Sequence, residues 1–164
     1  MRVRLLIPAA LLLLAGCGFH LRTWDLETNV ASAAVAAQGR SVLDEPLKRS
    51  LRNSGVELLE EGAQITIDLL NEQRGRRSIS VNDQARTEQY ELSLNIQYEI
   101  RDESGAVLLP PRWIRALRIY RVDRDNLVGS SEEEALLERE MVNDLIQQLM
   151  RSVDAVTRER AVAA

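Results

Sequence analysis

The cysteine at position 17 closes a segment whose chemistry predicts lipid attachment. Arg2 and Arg4 form a short positive start, and an apolar run with small residues at its end leads up to Cys17. The run is too short to span a bilayer, so residues 1–16 are predicted to be a cleaved lipoprotein signal. In a bacterial lipobox the cysteine thiol receives diacylglycerol and the new amine is acylated, which gives a stable anchor. The alternative is an ordinary cleaved signal that ends beside a cysteine.

Four arginines form the second group with recognisable chemistry: Arg74, Arg76, Arg77 and Arg86. If the segments on either side of them pair as a hairpin, all four gather near its turn. Guanidinium groups match phosphate oxygens in a bidentate geometry, so the group is a candidate phosphate-binding site. The alternative is a solvated, arginine-rich turn.

Composition excludes several classes of function. The formal net charge is −4, and loss of Arg2 and Arg4 leaves 19 basic against 25 acidic side chains, or −6. Such an acidic domain is a poor general binder of nucleic acid, so an anionic ligand requires a local basic patch. The one histidine, His20, lies beside Cys17, which rules out a Ser-His-Asp triad or a histidine zinc site. We therefore predict a binding or assembly protein with no catalytic residues, metal or cofactor.

Hydrophobic periodicity predicts the elements that position these residues. Apolar side chains occupy every second position from Tyr90 to Ile100, which indicates a long strand with one buried face. Ser130 and Ser131 precede three glutamates and predict the N-terminus of a helix of roughly 25 residues. The other predicted elements are strands over residues 30–37, 65–81 and 107–122 and a helix over residues 45–54.

The order β-α-β-β-β-α predicts an α+β domain. We expect a four-stranded, mainly antiparallel sheet with two helices packed on one face and a free polar face on the other. The predicted divisions are an anchor and arm over residues 17–29, one domain over 30–156 and a flexible tail over 157–164. Trp24 and Trp113 are candidate interface anchors, with core packing as the alternative for at least one of them.

Several short motifs resemble the lipopolysaccharide-assembly lipoprotein family LptE. The run Cys17-Gly18-Phe19-His20-Leu21-Arg22 is similar to the mature start of that family. Weaker matches follow in the family's order: Pro46-Leu47, Leu51-Arg52, Gly55 to Leu59, Glu88 to Leu92, Arg118-Ile119-Tyr120 and Arg139-Glu140-Met141. The segment from Ser78 to Thr87 lacks the family's basic turn, so ligand residues do not transfer there one for one.

The resemblance implies an outer-membrane lipoprotein without catalytic activity. It implies that the chain plugs the lumen of the LptD barrel from the periplasmic side, binds lipopolysaccharide and helps insert it into the outer leaflet. Gly18 after the lipidated Cys17 fits sorting to the outer membrane. Under this interpretation the four arginines are candidate contacts for lipid A phosphates. The alternative function is an envelope lipoprotein adaptor that binds other periplasmic proteins or peptidoglycan.

Overall fold

A computed structural model describes residues 30–81, 87–122 and 127–163, which form one sheet and two helices. The elements in chain order are β1 (Ser32–Ala37), α1 (Asp44–Asn53), β2 (Glu57–Leu58), β3 (Ile65–Val81), β4 (Thr87–Asp102), β5 (Val107–Arg121) and α2 (Leu127–Ala163). The predictions for the signal, Cys17, Trp24 and Arg86 lie outside the described residues.

Helix α1 forms where the sequence predicts it. Asp44 and Glu45 lie in its first turn and Arg52 in its last, which matches the helix dipole. Leu47 and Leu51 are four residues apart and are fully buried. Gly55 follows the helix with a φ of 80°, a left-handed conformation that ends the helical run.

The sheet has five strands and is mixed, which corrects the predicted four-stranded and mainly antiparallel sheet. Its strand order is β2-β1-β3-β4-β5, and β1 pairs in parallel with both β2 and β3. The first parallel pair arises because α1 carries the chain back to the same end of the sheet, as a crossover between parallel strands requires. The two-residue β2 is too short to show any periodic pattern. Strands β3, β4 and β5 form the predicted antiparallel meander.

A β-bulge in β3 decides which of its side chains face the helices. Ahead of the bulge the odd-numbered residues of β3 are buried, the last of them being Leu69. The pairing with β4 shifts between Leu69 and Asn71, and one extra residue moves the side chains that follow, up to the next irregularity after Ser78, to the opposite face. Arg74 and Arg76 therefore face the helices, whereas Arg77 points to the uncovered face, which we call the open face.

Helix α2 is longer than predicted at both ends. It begins at Leu127, and the Ser131 hydroxyl donates to the Val128 carbonyl at 2.8 Å, so Ser131 lies inside the helix and is not its N-cap. The helix also continues through most of the segment predicted as a flexible tail. Thr157 is buried there, and Arg158 forms two hydrogen bonds with Asp154 one turn earlier, at 2.9 and 2.7 Å.

Both helices contribute to one hydrophobic core on a single face of the sheet. The α2 residues in this core are Met141, Leu145, Ile146, Leu149, Met150 and Val153. Across from them lie the even-numbered residues of β4, including the fully buried Ile96, Tyr98 and Ile100. Among the described helices, none is both long enough and apolar enough to cross a membrane.

Candidate ligand-binding groove and exposed surfaces

Arg76 is held by an aromatic and acidic cluster on the covered face. Its Cζ lies 3.6 Å from the centroid of the Tyr90 ring, a cation–π geometry. Its Nε and Nη2 donate to the Tyr120 hydroxyl at 3.1 and 2.8 Å, and its Nε lies 3.2 Å from Glu134. The Tyr120 hydroxyl in turn donates to Glu134. One guanidinium therefore ties β3 to β4, β5 and α2.

These contacts fix the charge states of the cluster. The hydrogen bond with Tyr120 raises the pKa of Arg76, and the Glu134 carboxylate adds to that effect. Burial raises the pKa of the Tyr120 hydroxyl, helped by its hydrogen bond with Glu134. At neutral pH the cluster therefore holds a permanent cation beside a protonated phenol.

Arg74 and Arg77 each have a carboxylate partner, but on opposite faces of the sheet. Arg74 Nε lies 2.7 Å from Glu72, which also accepts a hydrogen bond from the Val42 amide at 2.9 Å. Arg77 forms a bidentate pair with Glu91, with contacts of 2.7 and 3.1 Å, and its hydrogen bond lowers the pKa of that carboxyl. The predicted arginine group is thus divided, with Arg74 and Arg76 on the covered face.

A groove of about 680 Å³ runs between α1 and α2 above strands β3 and β4. Its floor is formed by Leu92 and Leu94, which are almost fully buried, and Met141 closes it on the α2 side. Arg74 and Arg76 lie along its β3 side. This size falls in the range of small-molecule sites, which are about 300–1,000 Å³ and mainly apolar with a few polar groups.

Two further arginines border the groove, Arg49 from α1 and Arg139 from α2. Both are exposed, and within the described parts of the chain neither forms an ion pair or hydrogen bond. Sequence reasoning missed them because they lie 90 positions apart on different helices, and no motif connects them. Only the packing of α1 beside α2 brings them to one rim.

The open face carries an apolar stripe along β5, the last strand of the sheet. Trp113, Leu117 and Ile119 point to this face and are 45, 40 and 58% exposed, with Arg115 between the first two of them. Their neighbours on β4 are polar, and Trp113 lies beside Gln97. Trp113 is thus on the surface, as its interpretation as an interface anchor requires. Isolated exposed apolar residues are common, but three on one face of an edge strand indicate a contact surface.

No group of three or more metal-ligating side chains occurs within the described ranges, so the structure offers no metal site there. Several acidic residues there are used in ion pairs. Arg118, for example, pairs with Asp144 and with Glu140 on α2.

Comparisons with known proteins place these features in context. Residues 27–153 match the family model described as LptE, lipopolysaccharide-assembly. The chain is 27% identical over 151 residues to the LPS-assembly lipoprotein LptE of Photorhabdus laumondii, covering 90% of this chain and 77% of that protein. It is 25% identical over 159 residues to the LptE of Pectobacterium atrosepticum, covering 91 and 83%.

Solved structures share the fold. Uncharacterized lipoprotein B from Nitrosomonas europaea superposes with a TM-score of 0.73 at 25% identity, covering 86% of this chain and 93% of that one. A minor lipoprotein from Acinetobacter baumannii gives a TM-score of 0.64 at 24% identity, covering 77 and 92%. The two-helix, mixed-sheet arrangement is thus found in other bacterial lipoproteins.

Proposed function

This chain belongs to the LptE family of lipopolysaccharide-assembly proteins, and on that premise we propose that it assembles with the LptD barrel. In this proposal Cys17 carries the lipid that holds the protein to the outer membrane, facing the periplasm. The domain fills the barrel lumen, binds lipopolysaccharide and helps to insert it into the outer leaflet. It does so by binding alone, without catalysis.

The observation that carries the proposal, beyond the family, is the apolar stripe on the open face. Both helices cover the other face, so the open face is the large sheet surface left for a partner. Trp113, Leu117 and Ile119 give that surface an aromatic and aliphatic stripe along its β5 edge, beside the polar side chains of β4. This is the composition of a protein interface, where a few buried apolar anchors carry most of the binding energy.

The lipopolysaccharide contacts of the proposal include Arg74, Arg76, Arg77 and Arg86. Arg77 is the most accessible of the described three, with 71% of its side chain exposed. Because Arg74 and Arg77 already pair with carboxylates, a lipid phosphate has to share or replace those partners. Such exposed, competing charge pairs make binding weaken as salt rises.

The stripe is tested by purifying the membrane complex from cells that express the variant W113D/L117D. Two aspartates in a desolvated interface should lower the recovered barrel about tenfold or more. The matched control is V128D/L136D, which places the same charges on α2 residues that are 70 and 50% exposed. We expect the control to recover the barrel like wild type, and both variants to keep the wild-type circular dichroism spectrum.

Two results would contradict this proposal. Equal recovery with both double variants means that the stripe is not the barrel contact. If no barrel is recovered with the wild-type protein, the proposal that the domain fills the barrel lumen is wrong. An envelope adaptor then becomes the better explanation.

A further inference from the structure

We propose that the groove between α1, α2 and the sheet binds the acyl chain of an anionic amphiphile, with Arg49 and Arg139 holding its phosphate. The inference deepens the proposed function and rests on it for the natural ligand, because lipopolysaccharide carries both acyl chains and phosphates. Arg49 and Arg139 are distinct from the hairpin arginines that the sequence singles out, although two of those, Arg74 and Arg76, also line the groove.

The floor of the groove suits a hydrocarbon chain. Leu92 and Leu94 contribute the covered side of β4, and Met141 and Val142 contribute the wall from α2. Leu92, Leu94 and Met141 are between 2 and 5% exposed, so their positions are fixed by the core. The volume of about 680 Å³ leaves room for one chain with its head outside.

The charge at the rim selects an anionic head group. The chain carries a net charge of −4, yet the groove lining contains four arginines and two glutamates, Glu134 and Glu138. Arg74 and Arg76 pair with Glu72 and Glu134, which leaves the rim cations from the two helices without an acidic partner in the described chain. Guanidinium groups on two sides of an opening are suited to bind the oxygens of one phosphate.

The chain's own segment 17–29 is a poorer occupant. Strand β1 begins at Ser32, beside the pairing of Ala33 with Ile65 at the start of β3. The groove lies further along β3, at Arg74 and Arg76. The described chain therefore begins at the end of β3 that lies far from the groove. An amphiphile with a phosphate matches both the floor and the rim.

The experiment uses the full lipidated chain in nanodiscs of zwitterionic phosphatidylcholine. The probe is dodecyl phosphate with a photoreactive diazirine at the end of its chain, and labelled residues are mapped by mass spectrometry. We expect adducts on the groove floor and α2 wall of the wild-type protein. Purified lipopolysaccharide should compete with the probe, while inorganic phosphate should not, since it lacks the chain.

One variant removes the positive charge at the groove rim, and another fills the groove without changing its charge. R49A/R139A should reduce groove labelling about tenfold, because the head group loses both cations. The matched control R52A/R151A removes one arginine from each of the same helices outside the groove and should label like wild type. V142W fills the groove without changing charge and should abolish labelling while the circular dichroism spectrum is kept.

Several outcomes would overturn the inference: adducts spread over the open face, labelling confined to residues 17–29, or equal loss in both double arginine variants. If the complex retains barrel and lipopolysaccharide while the groove stays unlabelled, the inference is wrong and the proposed function stands. If the groove is labelled but lipopolysaccharide does not compete and no barrel is recovered, the site stands and the proposed function is wrong.

Discussion

The two faces of the meander β3–β5 come from the same alternating sequence and have opposite roles. On the covered face, alternate side chains such as Ile96 and Tyr98 are fully buried, and Arg76 is fixed among aromatic rings. On the open face, Arg77 is mostly exposed and the apolar side chains of β5 lie in solvent. Position on the sheet therefore decides whether an arginine or an apolar residue stabilises the fold or remains free to bind.

The free energy of unfolding should change most when a buried apolar side chain of the covered face is removed, and little when an exposed one of the open face is removed. I96A removes a fully buried side chain and should lower the free energy of unfolding by about 2–5 kcal/mol, through lost transfer energy and a cavity. L117A removes a side chain that is 40% exposed on the open face and should change it by about 0.5 kcal/mol or less. Urea unfolding of both variants measures the difference. Equal losses would show that the stripe is packed within the monomer.

Removal of Arg76 should lower the stability of the domain by a smaller amount, and removal of its neighbour Arg77 should not lower it. R76A removes the hydrogen bonds to Tyr120 and the ion pair with Glu134, and should cost about 1–2 kcal/mol because the side chain is 45% exposed and partly screened. R76K keeps the charge but loses the planar stacking on Tyr90, so it should restore only part of the loss.

R77A is the control for that measurement. Arg77 also pairs with a carboxylate, yet it is 71% exposed and its pair is screened by solvent. We expect no measurable change in its urea midpoint. If R77A destabilises the domain as much as R76A, the two faces do not differ in the way that their contacts suggest.

Much of the fold follows from local patterns in the sequence. The period of two in β4 identifies Tyr98 and Ile100 as buried, and the leucine spacing in α1 identifies Leu47 and Leu51. The two-residue β2 is not predictable because it has no room for a period. The parallel pairing of β1 depends on how the chain returns after α1, which no local pattern records.

The candidate site is harder to predict for two physical reasons. The bulge after Leu69 lies ahead of a polar stretch, so no apolar alternation reveals that Arg74 faces the helices while Arg77 faces the open side. Arg49 and Arg139 meet only through the packing of two helices that are distant in the sequence. The resemblance of short motifs to a family gave the class of function, which the family match over residues 27–153 then supported.

Two aspartates near the end of β4, one on each face of the sheet, have pKa values shifted in opposite directions. Asp68 lies on the open face opposite the buried Glu99, and burial raises its pKa, although Arg101 at 3.5 Å lowers it. Asp102 is the last residue of β4, just before the turn to β5, and hydrogen bonds from the Ser104 side chain and from backbone amides lower its pKa. Their effects on stability should therefore have opposite signs as the pH changes.

The smallest expected effect is this pH dependence, measured by urea unfolding of D68N and D102N between about pH 3 and 7. Folded Asp68 binds its proton more tightly than the unfolded chain, so its favourable contribution is present below the ordinary pKa of about 3.9 and is lost as the pH rises through the folded value. D68N should thus gain stability relative to wild type as the pH rises.

Folded Asp102 binds its proton less tightly, so its contribution is present above that ordinary value and is lost as the pH falls. D102N should lose stability relative to wild type as the pH rises. If both variants shift in the same direction, Asp68 is stabilised in its charged form by Arg101, and the open face at this end is held by ion pairs.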